Sequence, residues 1–213
     1  MRRKLVAAAC ALLALGIYAA AARPDEHTPA TATRCAGERW AVRNLLDADA
    51  ARVDYRSIAT SVPRLRSRRP PRLVSPATPR LRPAEFTTYA LRVRLIAARR
   101  FANGDTAVVV GAPPKTLVVV FPDTHRCADV VEGPKGQDIH VAGDEFEGYC
   151  GVAPRNRWQR LSGRAALSGV GFFSVLHPKP LPGSAPRGIE LHPALSFSAP
   201  SCARVRGRWP EAS

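Results

Sequence analysis

Residues 89–95 read Tyr89-Ala90-Leu91-Arg92-Val93-Arg94-Leu95, with the large apolar residues strictly alternating with Ala90, Arg92 and Arg94. In an extended chain successive side chains point to opposite faces, so this stretch predicts a strand with one face in a core and the other in water. Just beyond it, Asn103-Gly104 supplies the strongest short hairpin signal, because both residues tolerate the positive φ that a tight two-residue turn demands. Ala107 to Val110 then reads as a second strand, Ala112-Pro113-Pro114 as a turn, and Leu117 to Phe121 as a third. The run Val118-Val119-Val120 predicts burial on both faces. After a long excursion come two more strands, Ala165 to Phe173 and Ile189 to Phe197. Gly169 and Gly171 in the first of them leave room for another backbone. A meander of three, an excursion and a final pair is the layout of a mainly β chain folded as a small five-stranded OB-like barrel, with short helical pieces and long loops. Closing the sheet would remove the edges that such valine-rich strands expose.

Outward from this core, 84–203, the chain changes character. Residues 61–83 hold seven arginines, six prolines and no carboxylate. That proline density predicts an extended linker, polyproline II or open loop, in place of a helix. Its arginines Arg64, Arg66, Arg68, Arg69 and Arg72 are the candidate contacts for a polyanion. Residues 35–60 form an N-terminal segment packing on the core, with Asp47 placed to cap a short helix through Ala50 to Val53. Residues 204–213 read as a basic tail.

At the start, Met1-Arg2-Arg3-Lys4 is a positive lead, Leu5 to Ala22 an uncharged apolar run, and Ala20-Ala21-Ala22 a small-residue cleavage signal. Residues 1–22 therefore read as a signal peptide, and 23–34 as a disordered lead-in. The expected product is a monomer, secreted, periplasmic or held at the cell envelope, with no membrane insertion after cleavage. Losing Arg2, Arg3 and Lys4 lowers the formal charge from +15 to +12. That balance suits an anionic polymer, either nucleic acid or a cell-surface polyanion. Yet 28 of the 32 basic residues are arginine in an alanine- and proline-rich chain, a bias that a GC-rich genome imposes on any surface.

Four cysteines follow the leader, and an even count in an exported chain predicts two disulfides, with three possible connectivities. No C-x-x-C pair points to a metal site instead. The expected pairing is Cys127 with Cys150, which would clip the excursion at 122–154 and be worth ~3 kcal/mol. Cys35 with Cys202 would then tie the beginning of the domain to its end.

Candidate chemistry is sparse. Glu190 and His192 lie two apart in the last strand and share a face, and His177 precedes the connecting loop; together with one open position they could hold zinc. The structural alternative is a carboxylate–imidazole hydrogen bond. His27, His125 and His140 fall in expected loops without partner spacing. No G-x-S-x-G elbow and no phosphate-binding glycine loop occurs.

Two resemblances add to this reading. Glu38-Arg39-Trp40-Ala41-Val42, then Gly169-Val170-Gly171-Phe172-Phe173, Leu176-His177 and Ile189-Glu190-Leu191-His192-Pro193, resemble the opening and closing motifs of a family of uncharacterised exported bacterial proteins. That resemblance implies a grouping and no activity. Gly104-Asp105-Thr106 and Val119-Val120-Phe121-Pro122-Asp123-Thr124 are similar to the core of thermonuclease-type OB barrels. There, carboxylates matching Asp105 and Asp123 would bind calcium beside a phosphodiester. The chain departs from that pattern at Val118, where the family carries an arginine, and at Arg126, where it carries a glutamate.

The function expected from sequence is a non-enzymatic exported binding or envelope module for an anionic partner, with no cofactor. The alternative is a metal-dependent hydrolase of the phosphodiesterase or nuclease kind, using zinc or calcium.

Overall fold

A computed structural model describes residues 35–209. The expected signal peptide at 1–22, the expected lead-in at 23–34 and residues 210–213 of the expected basic tail lie outside the described residues. The barrel is built from β2 (Thr87–Arg100), β3 (Thr106–Ala112), β4 (Lys115–Phe121), β6 (Arg164–Phe173) and β7 (Ile189–Ser198). β2 is long enough to pair twice: Thr88–Arg94 run antiparallel to β6, and Leu95–Arg100 antiparallel to β3. β3 pairs with β4, β4 lies parallel to β7 at Val119↔Leu191, and β7 returns antiparallel to β6. The circuit β2-β3-β4-β7-β6-β2 is therefore a closed five-stranded barrel of the OB type.

The alternation that predicts β2 is present: Tyr89, Leu91, Val93 and Leu95 are buried in the main core, whereas Arg92 and Arg94 are exposed. β4 is covered on both sides. Leu117, Val119 and Phe121 join the barrel interior, while Val118 and Val120 pack outside with Val109 and Trp158. Gly171 meets its expectation too, since a Cβ there would lie 2.5 Å from the Ala84 carbonyl oxygen.

Outside the barrel lie three further strands: β1 (Asp54–Ala59) parallel to the start of β2, and β5 (Gln159–Ser162), which pairs with β2 and carries β8 (Ala203–Arg208). β8 occupies part of the stretch expected as a basic tail. β1 carries almost no burial alternation, which is why its sequence gives no strand signal.

The excursion is helical, against expectation. It holds α3 (Ala128–Glu132) and α4 (Gly136–Cys150), with Ile139, Ala142, Phe146 and Cys150 buried at helical spacing. Phe146 sits 5.1 Å from Phe121 and 5.5 Å from Phe197, ring centre to ring centre, so α4 packs onto the barrel core.

The disulfides join Cys35 to Cys127 and Cys150 to Cys202, correcting the expected pairing. Because α4 is a helix, Cys127 and Cys150 stand at opposite ends of the excursion, and a rod of 15 residues keeps Cys150 near β8.

Residues 61–83 are loop and turn beyond Arg66, as their prolines predict, but they open on a helix and pack against the barrel. Ser61 caps the short helix α2 (Val62–Arg66), and Pro63 falls in its first turn, where a missing N–H costs no helical bond. Leu65, Val74 and Leu81 are buried in the main core.

The N-terminal motif is anchored by a buried pair. Arg39, at the entry to α1 (Trp40–Arg43), makes a bidentate contact with Glu85, at 2.7 Å to each oxygen, with both side chains fully buried. Backbone N–H groups of Leu81 and Phe173 also donate to Glu85, and Arg39 donates to three carbonyls, so the charges are saturated with partners. This pair fastens α1 beside the barrel and so presents Arg43 to the loop after β2.

Candidate functional site

Asp105 closes the loop 101–105 between β2 and β3, and its side chain is fully buried. It accepts three hydrogen bonds. Arg43 Nη2 and Asn103 Nδ2 donate to Oδ2, the latter at 2.9 Å, and the Asp123 backbone N–H donates to Oδ1 at 3.1 Å. Gly104, at φ +100°, is required here, because a Cβ would lie 1.9 Å from the Asp123 carboxylate. Asp123 itself lies 3.6 Å from Arg126 Nη1.

This arrangement does not fit calcium, which asks for six to eight oxygen ligands. The oxygens of Asp105 are committed to N–H donors, and each carboxylate of the resemblance has its own arginine. Val118, fully buried against an apolar cluster, adds no cation.

Beyond Arg43 the polar row continues into β7. Arg43 Nε donates to His192 Nε2 at 3.3 Å, and His192 Nδ1 lies 3.2 Å from Glu190 Oε1. An arginine cannot accept, so His192 carries its proton on Nδ1 and donates it to Glu190. Burial, reinforced by the Arg43 charge, lowers the His192 pKa well below the usual imidazole range. Burial pushes Glu190 up to about 8; Arg43 pulls against this shift and Asp105 adds to it. At neutral pH these two shifts leave both Glu190 and His192 uncharged beside the Arg43–Asp105 ion pair.

The expected zinc group does not assemble. His177, in the loop 174–188, is bonded through Nε2 to Glu38 at 3.0 Å, and both nitrogens of His192 already have partners. Among the described residues, these three side chains do not bring their ligand atoms within 4.8 Å of one another.

What the loops 101–105 and 174–188 enclose is a cleft of about 470 Å³, lined by Arg43, Arg99, Phe101, Asn103, Lys179 and His192 among others. Arg99 stacks over Phe101 at 5.4 Å, and its Nε is buried without a partner. Among the described residues, neither Arg99 nor Lys179 meets a carboxylate. With Asp105 paired to Arg43 and Glu190 protonated, the two cations Arg99 and Lys179 face a single further carboxylate in the lining, Glu38, so the balance of the cleft is positive. A larger hollow of about 1060 Å³, bounded by Val62, Leu91, Gly111 and Phe197, is mainly apolar and lies away from this row.

The arginines of 61–83 divide. Arg66 points inward and donates to the Thr116 and Ser184 carbonyls, and Arg68 lies over the Tyr89 ring at 5.3 Å. Arg64, Arg69 and Arg72 remain exposed. Sequence reading missed Arg43, Arg99, Phe101 and Lys179. Arg43 meets Asp105 across 62 positions, and no local pattern encodes such a contact. It also misplaced His140, which lies on α4.

Comparison with protein-family models, with curated proteins and with solved structures finds no match to this chain.

Proposed function

We propose that this chain is a non-catalytic exported module that holds an anionic polymer in the cleft between loops 101–105 and 174–188. The observation that carries the reading is the Arg43–Asp105 pair. It occupies the carboxylate that phosphodiester chemistry of the thermonuclease kind would need, and it leaves Arg99 and Lys179 as the cations of the cleft that meet no carboxylate. OB barrels commonly receive oligomers between these same two loops. The Phe101 ring beside Arg99 offers a base or sugar an apolar surface next to a cation. Two disulfides suit work outside the cytosol.

The test is to titrate the purified protein into labelled oligothymidine and labelled heparin and follow anisotropy. Binding is expected at about 50 mM salt and should weaken steeply by about 200 mM, because neutralised phosphates or sulfates release counterions. After incubation with calcium the DNA should be recovered at full length. Absence of binding to both polymers overturns the proposal. Calcium-dependent shortening of the DNA that Asp105→Ala abolishes would replace it with the hydrolase reading.

A further inference from the structure

Apart from the cleft, three side chains capable of holding a metal converge where the segment after β4 meets α4. His140 and Asp144 stand four residues apart on α4 and so share one helix face. His125, from the segment 122–127, reaches the same spot: its Nε2 lies 3.1 Å from Asp144 Oδ1, and His140 Nε2 lies 3.5 Å from Asp144 Oδ2. All three ligand atoms lie within 4.8 Å of one another. Zinc bonded at 2.0–2.1 Å in tetrahedral geometry sets its ligand atoms about 3.4 Å apart, so small movements of these side chains would close the set.

We propose that His125, His140 and Asp144 form a binding site for a divalent transition-metal ion such as zinc, with a fourth position left to water. Two imidazoles and one carboxylate are the donor types that select such ions over calcium or magnesium. The outer partner is also in place. Thr124 Oγ1 lies 2.9 Å from His140 Nδ1, so that a proton on Nδ1 donates to the hydroxyl and Nε2 keeps its lone pair for the metal. The segment carrying His125 is held at its far end by the Cys35–Cys127 disulfide and by the Cys127 N–H donating to the Asp123 carbonyl at 3.1 Å. Partial exposure of all three ligands leaves the ion a path in from solvent. A bound ion would tie the segment that carries Asp123 to α4.

Protein lacking any histidine tag, dialysed against micromolar zinc, should retain about one ion per chain. Its cobalt(II) form should develop the visible absorption of a four-coordinate site. His140→Gln and Asp144→Asn should each weaken zinc binding at least tenfold, with Thr124→Val weakening it about tenfold or more through the lost orienting bond. His177→Gln should change nothing. Circular dichroism identifies any variant that has lost its fold, and the His140 and Asp144 substitutions fall on partly exposed side chains. Zinc absent from the wild-type chain, retained undiminished by folded His140→Gln and Asp144→Asn, or lost with His177→Gln overturns the assignment.

Discussion

Arg43 and Asp105 form an ion pair in which the carboxylate is wholly shielded from water while the arginine side chain keeps 16% of its exposure. The pair joins the N-terminal segment to the β2–β3 loop, and Arg43 extends the link to His192 on β7. One arginine therefore does two things. It neutralises a buried acid at the mouth of the barrel, and it fixes the tautomer of a buried histidine.

Removing Arg43 should be costly. Arg43→Met would strand the buried Asp105 charge, and breaking such a pair from one side typically costs 3–5 kcal/mol. Adding Asp105→Asn to that variant should recover a large part of the loss, because the uncompensated charge disappears. Urea unfolding of the two single variants and the double variant, compared as a cycle, gives the coupling. Strictly additive losses would mean that the two residues do not act as a pair.

Glu190 and His192 make stability depend on pH in opposite senses. The native pKa of Glu190 is raised, so its contribution is complete below its ordinary value of 4.5 and is lost as pH rises towards about 8. The native pKa of His192 is lowered, so its contribution is present above 6.5 and is lost as pH falls below that value. Just below 6.5 the two slopes oppose one another, and from 6.5 to about 8 only Glu190 acts. Stability should fall there by about 2 kcal/mol, at 1.36 kcal/mol per pH unit. Glu190→Gln should flatten this alkaline limb in a thermal melt series, and an unchanged limb would show that another group produces it.

Gly143 and Gly148 lie inside α4 with open space where a Cβ would stand. Neither position needs glycine for packing, so alanine should stabilise the helix by about 0.5–1 kcal/mol at each. The readout is a rise in melting temperature for Gly148→Ala. A fall would mean that the helix surface is covered by something that the added methyl group meets.

Those glycines also explain what was legible in the sequence. The barrel strands announce themselves because Tyr89–Leu95 alternates and Val118–Val120 does not, which distinguishes one-sided from two-sided burial. The helical stripe Ile139, Ala142, Phe146 and Cys150 is present too, but two glycines and many charges dilute it, and the excursion reads as loop. Mistaking α4 for a loop led directly to the wrong disulfide pairing and hid the His140–Asp144 spacing. The site was the least legible part. Asp105 and Asp123 stand out in sequence, yet their pairing with Arg43 and Arg126 reverses their meaning, and the Arg43 contact is made by tertiary packing alone.

The disulfides enclose separations of 92 and 52 residues, for which chain-entropy arguments give about 4–5 kcal/mol each. Peptide mapping of unreduced protein should recover Cys35 linked to Cys127 and Cys150 linked to Cys202. Replacing Cys150 and Cys202 together by serine should lower the unfolding midpoint clearly. A Cys127–Cys150 peptide in folded material would contradict the packing of α4.

The central claim is that the polymer is held by the cleft and not by the exposed arginines of 61–83. Anisotropy titration of labelled oligothymidine should therefore be run on the wild-type chain, on Arg99→Ala/Lys179→Ala, and on Arg64→Ala/Arg69→Ala/Arg72→Ala. The cleft variant should lose affinity by about tenfold or more and show a shallower salt slope, since each lost phosphate contact on a single strand removes about 0.7 from it. The exposed-arginine variant should lose no more than a few-fold. Full affinity in the cleft variant, with binding abolished in the other, would contradict the claim and return the polymer to the surface of residues 61–83.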